Sequence, residues 1–103
     1  YTLSSDGKIN KFKSGGLMDY NLSGIDPKLD SADDLWTYYE MSYLYILDSK
    51  NKRLLIINKS DGSLKKQLTA DEFKNPESMI IDEPNSAAYI YDSGKLYEID
   101  MNL

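Results

Sequence analysis

The side chains of this sequence that could do chemistry sit in two aspartate-bearing turns and in one acidic, aromatic stretch. Asp48 and Asp92 end the apolar runs YLYILD and YIYD, and Asp48 is followed by Asn51 and Arg53. A carboxylate at the end of a strand accepts N–H groups of the turn that follows, and a guanidinium beyond the turn can pair with it across the hairpin. Asp48, Arg53 and Asp92 therefore read as structural repeat positions rather than as catalysts, because a residue that recurs in each copy of a repeat serves the repeat. Asp30, Asp33, Asp34 and Glu40 surround Trp36, with Tyr38 and Tyr39 beside it. Such acids invite calcium, but their spacing lacks the alternating oxygen ligands, central glycine and terminal glutamate of an EF-hand. Trp36, Tyr38 and Tyr39 are the candidate binding surface, with packing between sheets or around a central channel as the competing role. No catalytic, cofactor-binding or metal-ligating residue is assigned. Gly15 and Gly16 have no lysine at Walker spacing and read as turn glycines.

Composition narrows the chemistry further. The 103 residues include no cysteine and no histidine, which removes disulfides, thiolate metal sites, Ser-His-Asp and Cys-His dyads and the commonest zinc ligand. Seventeen acidic residues against twelve basic ones give a net charge of −5, so the electrostatic footprint of a nucleic-acid binder is missing. No run reaches the roughly 18 to 20 apolar residues of a membrane-spanning helix, so no membrane insertion is expected of this segment.

The elements that must position these residues come from an internal repeat. Tyr1, Tyr45 and Tyr89 stand 44 residues apart, and each opens an apolar strand-like run that ends in a polar turn. The period aligns Leu35 with Met79, Trp36 with Ile80, Ser42 with Ser86 and Ser49 with Ser93. The last copy then has a turn two residues shorter, so that Leu54 matches Leu96, Ile57 matches Ile99 and Asn58 matches Asp100. One period holds four strand-like runs: 34–39, 43–47, 53–57 and 63–69. Lys59 to Gly62 and Asp82 to Asn85 supply turns, the first with an Asp-Gly that provides positive φ. Leu29 and Phe73 occupy the same place in the two longest connections and look buried; a short helical turn starting at Thr69 or Asp71 is the weaker reading of the second.

Short strands at 8 to 12 residue spacing argue an all-β fold, and four strands in about 44 residues argue a β-propeller segment of four-stranded antiparallel blades. The runs YLYIL and LLIIN are apolar at successive positions, as in a sheet covered on both faces. SLKKQLT alternates and carries Lys65 and Lys66, which suits an exposed edge. The reading divides the chain into a partial blade, 1–30, a full blade, 31–74, and a partial blade, 75–103; an open twisted sheet or small sandwich is the alternative. Two and a half blades imply a longer parent protein or an assembly, with self-association through open blade edges.

LYILDSKNKRLLIINKSDGSL followed by KNPESMIIDEPNSAAYIYDSG resembles the NHL and related six-bladed propeller repeats, with Pro76, Asp82, Asp48, Asn51, Arg53 and Asp61-Gly62 in matching places. The first copy departs from the pattern with Ser4 and Lys8, and the third has Lys95 where the second has Arg53. The tyrosine-rich version with DSADDLWTYYE is also similar to propellers attached to bacterial phosphatase-like or membrane-anchored proteins, which implies an extracytoplasmic segment of an anchored parent. The resemblance implies a non-catalytic scaffold or recognition module that binds protein or glycan through loops at the channel mouth. Two alternatives stay open: part of a calcium-dependent lactonase-type propeller, with Asp33, Glu77 and Asp82 as acids of a channel metal, and a sensor domain attached to an enzyme.

Overall fold

The computed structural model describes residues 1–3, 9–13, 16–18, 20–25, 29, 34–37, 41–69 and 73–103. Among them every regular element is a strand, and the fold is all-β. The strands are β1 (Thr2–Leu3), β2 (Ile9–Lys13), β3 (Gly16–Met18), β4 (Asp34–Trp36), β5 (Tyr43–Asp48), β6 (Arg53–Asn58), β7 (Leu64–Thr69), β8 (Pro76–Asp82), β9 (Ala87–Asp92) and β10 (Lys95–Asp100). They form three antiparallel sheets in chain order, β1-β2-β3, β4-β5-β6-β7 and β8-β9-β10. The run expected at 34–39 is strand only through Trp36, and Tyr38 and Tyr39 lie outside the described residues. So do Ala70, Asp71 and Glu72, on which the alternative helical turn falls.

Turn chemistry sets the register. Asp48 pairs with Arg53 to close the β5–β6 hairpin, and the Lys52 N–H donates to the Ser49 carbonyl at 3.1 Å. Lys52 takes a φ of 53°, in the left-handed region that a four-residue loop of this kind needs at its end. The β8–β9 loop repeats the device: Ser86 has a φ of 54° and donates to the Glu83 carbonyl at 3.0 Å. Between β9 and β10 only Ser93 and Gly94 intervene, with φ of 52° and 85°, the two positive values of a type I′ turn. Pro76 opens β8, an edge strand, next to a register shift, where its missing N–H breaks no ladder.

The central sheet has no solvent face at its middle strands. Cross-strand pairs Tyr45–Ile56 and Leu47–Leu54 point to one side, while Leu44–Ile57 and Ile46–Leu55 point to the other. All eight side chains are fully buried. The first set packs on Met79 and Ile81 of β8, Ala88 and Ile90 of β9, and on Phe73 and Met101; the second packs on Ile9 of β2 and on Leu29, with half-buried Tyr1, Tyr20 and Leu22 around it. Burial of each such aliphatic side chain contributes about 1.5–3 kcal/mol relative to exposure. Leu29 and Phe73, the paired residues of the long connections, are both buried. The contact between units also repeats: β1 lies against β4, and β5 lies against β8.

The fourth strand differs from its expected role in one respect. β7 is an edge strand with alternating exposure, and Lys65 faces solvent. Lys66 points the opposite way, as adjacent strand residues must, and its ammonium donates to the carbonyls of Met101 at 2.9 Å and Asn102 at 3.1 Å. On the third sheet, the outward residues Ile80, Tyr91 and Leu96 are 57%, 43% and 65% exposed.

One glycine ties the first two units together. The Ser23 N–H donates to the Gly62 carbonyl at 3.0 Å, and the Leu64 N–H donates to the Ser23 carbonyl at 2.9 Å, forming a parallel bridge beside the start of β7. Gly62 has a φ of 79°, and a Cβ there would lie 2.3 Å from the Asn21 carbonyl oxygen. Gly62→Ala is therefore expected to destabilise the fold by about 1–3 kcal/mol, because strained φ and backbone displacement add. Denaturant unfolding of the two proteins measures it, and a stability within 0.5 kcal/mol (roughly the range of neutral surface changes) would contradict this account of the junction.

Candidate functional site

Asp48 and Arg53 come together at the closed end of the central hairpin, where both side chains are fully buried. The Arg53 Nε donates to Asp48 Oδ2 at 2.8 Å, and its Nη1 donates to Gln67 Oε1 of β7 at 3.2 Å. Asn51 supplies two more donors to the same carboxylate, its N–H to Oδ1 at 3.3 Å and its Nδ2 to Oδ2 at 2.9 Å. The charges are thus desolvated but matched, and the carboxylate has no face turned to a substrate. Its chemistry is to lock β5, β6 and β7 in register.

Asp92, the same residue one repeat later, is also buried but holds different partners. It accepts the N–H groups of Lys74 and Asn75 at 2.8 and 3.0 Å and the Ser93 hydroxyl at 2.8 Å. It therefore straps the connection before β8 to the end of β9. Burial alone pushes this carboxyl up, but hydrogen bonds from Asn75, Ser93 and Lys74, with the Lys74 charge, outweigh it and hold the group below the usual carboxylate range. Lys95, at the repeat position of Arg53, is exposed. Asp82 and Asn85 reproduce the Asp48–Asn51 contact at the β8–β9 loop, with the Asn85 N–H and Nδ2 at 3.4 and 2.8 Å from the carboxylate. The Asp-x-x-Asn spacing shared by 48–51 and 82–85 falls outside the 44-residue alignment, because it marks a different hairpin of the repeat, and the sequence reading of the turns missed it.

Trp36 of β4 is half-buried and packs against the apolar cluster between the central and third sheets. Among the described residues no three acidic, histidine or cysteine side chains converge as a metal would require. Asp33, Asp30 and Glu40 lie outside the described residues, and no helix among the described ones is long and apolar enough to cross a membrane.

A cleft of about 500 Å³ opens where the first sheet meets the central one, lined by Tyr1, Lys11, Ser42, Tyr43, Asn58, Lys59 and Ser60. The Lys11 ammonium is 5.7 Å from the Tyr1 ring centroid and 5.5 Å from that of Tyr20, and the Lys59 ammonium is 5.4 Å from Tyr1. Tyr20 donates its hydroxyl to the Lys59 carbonyl at 3.0 Å, and burial, with Tyr1 and Asp61 nearby, pushes its phenol up to about 12. These residues do not stand out in the sequence, since lysines and tyrosines are spread along it and only the packing of two units brings them to one place. Comparison with models of known protein families, with curated proteins and with solved structures finds no match to this chain.

Removing one member of the buried pair should cost far more than the pair itself contributes. Asp48→Ala is expected to lower stability by about 3–5 kcal/mol, as Arg53 stays buried without its carboxylate. The double variant Asp48→Ala with Arg53→Met should recover much of that loss in urea unfolding; an additive double variant would refute coupling. Asp92 gives a pH signature. Its native pKa lies below the unfolded value of about 3.9, so its contribution is present above that value and is lost as pH falls through the native one. Asp92→Asn should flatten this acid limb of the stability curve, and an unchanged limb would remove Asp92 as its source.

Proposed function

We propose that this chain is a non-catalytic, propeller-type scaffold and recognition module that binds a protein or glycan through the loops at the ends of its stacked sheets. The observation that carries the reading is the use made of the polar groups. Asp48, Arg53 and Asp92 are buried and engaged in holding turns and connections together, while the central sheet is covered on both faces by its sequence neighbours. A fold that spends its conspicuous acids on register keeps its variable chemistry for loops and junctions. The stacking of one four-stranded unit between two others, with the β1–β4 relation repeated by β5–β8, supports blades of the NHL kind. The bare residues Ile80, Tyr91 and Leu96 support a further unit, or another chain, against the third sheet.

The competing lactonase-type reading requires a resident calcium. Calorimetric titration of the chain with calcium, followed by melting with and without the ion, separates the two. The scaffold reading expects no stoichiometric heat and an unchanged melting temperature. Tight one-to-one binding that disappears in Asp82→Asn would transfer the protein to the enzymatic class.

A further inference from the structure

The cleft where the first sheet meets the central one is walled by the open end of the β5–β6 hairpin. Tyr43 and Asn58 are the terminal pair of that ladder, and the Lys59 N–H extends it by donating to the Ser42 carbonyl at 3.2 Å. The Ser42 N–H is fixed in turn by Glu83 Oε1 at 3.0 Å, and the Asn58 N–H by the Ser63 carbonyl at 2.7 Å. Ser42, Tyr43 and Asn58 therefore hold their backbone positions before any ligand arrives, which lowers the entropy cost of binding. Ser60, with Tyr1 and Lys11 of the first unit, completes the lining.

The two lysines of the cleft are already engaged by the protein. The Lys59 ammonium donates to the Met41 carbonyl at 3.4 Å and stands 5.4 Å from the Tyr1 ring centroid, and the Lys11 ammonium stands 5.7 and 5.5 Å from the Tyr1 and Tyr20 centroids. The groups left for a ligand are uncharged. Among the described residues, the hydroxyls of Ser42, Tyr43 and Ser60 make no hydrogen bond within the protein, and Ser42 and Ser60 are exposed. Asn58 donates its Nδ2–H to the Ser63 hydroxyl at 3.0 Å and keeps its amide oxygen as an acceptor. A hydroxyl both donates and accepts, as does each hydroxyl of a sugar, so three of them beside an amide oxygen match a polyol rim without any charge. The Tyr43 ring among them suits the C–H face of a sugar ring. The cleft's volume of about 500 Å³ lies within the roughly 300–1,000 Å³ of small-ligand sites, whereas a protein partner covers about 800 Å² around a buried apolar centre.

We propose that this cleft binds a neutral saccharide, with the Tyr43 ring against one face of a sugar and the Ser42 and Ser60 hydroxyls and the Asn58 amide oxygen on its hydroxyl groups. This assignment rests on the recognition reading and names its ligand class. The test titrates the 103-residue chain with maltotriose, cellotriose and triacetylchitotriose, with trigalacturonate as the acidic control, and reads calorimetry and NMR shift mapping. At least one neutral trisaccharide should bind saturably, shift Ser42, Tyr43, Asn58 and Ser60, and keep its affinity as salt is raised. Ser60→Trp, at an exposed position of the rim, should abolish binding with melting unchanged, and Tyr43→Ala should weaken it at least tenfold. Should Tyr43→Ala fail to fold, Ser60→Trp carries the test, and undiminished binding there would overturn the site. Tighter, salt-sensitive binding of trigalacturonate would overturn the neutral class. So would a folded chain that binds none of the three neutral sugars; that outcome leaves the recognition reading standing, which falls instead to the calcium titration.

Discussion

A β-sheet with two apolar faces cannot stand in water, and the rest of this structure answers that constraint. Leu44, Ile46, Leu55 and Ile57 need one partner, and Tyr45, Leu47, Leu54 and Ile56 need another. The units before and after in the chain supply them. Alternation along the strands then dictates the remainder: the connections must carry one apolar residue each, Leu29 and Phe73, to plug the space they cross. Among the described residues the buried charged groups, Asp48, Arg53 and Asp92, sit at strand ends, where the two carboxylates satisfy backbone and side-chain donors that burial would otherwise leave unmet.

Much of this was legible in the residues. The tyrosine spacing located the units, and the doubly apolar runs announced that the middle sheet would be covered on both sides. Asp-Gly marked a turn whose positive φ is present at Gly62. What could not be read was how the repeat is varied. Asp48 and Asp92 look alike in sequence, yet one is held by Arg53 and Asn51 and the other by backbone N–H groups of Lys74 and Asn75. Their partners come from different parts of the fold, and no local pattern specifies them. Lys66 resembled an edge charge because its neighbour Lys65 is one, but alternation turns it toward the carbonyls of Met101 and Asn102.

The same limit applies to the cleft. Lys11 and Lys59 are 48 positions apart, and neither belongs to a motif. Only the docking of the first unit on the central one brings both beside the Tyr1 ring. In a repeat protein the shared positions describe the architecture, and the exceptions carry whatever is particular to the molecule. Trp36, conspicuous as the single tryptophan, proves to be half-buried against a core shared by two sheets.

The polar contacts between units have nearly constant reach along the chain. Tyr20 to Lys59 spans 39 residues, Ser42 to Glu83 spans 41, and Lys66 to Met101 spans 35. Each is close to one repeat, and the strand pairing inside each unit is between consecutive strands. Folding can therefore begin in any hairpin and spread outward by nearest-neighbour docking, with loop-closure entropy that stays the same at each step. Such a chain behaves as a one-dimensional array of coupled elements. Its cooperativity resides in the junctions, and a weak junction sets the point at which it would come apart.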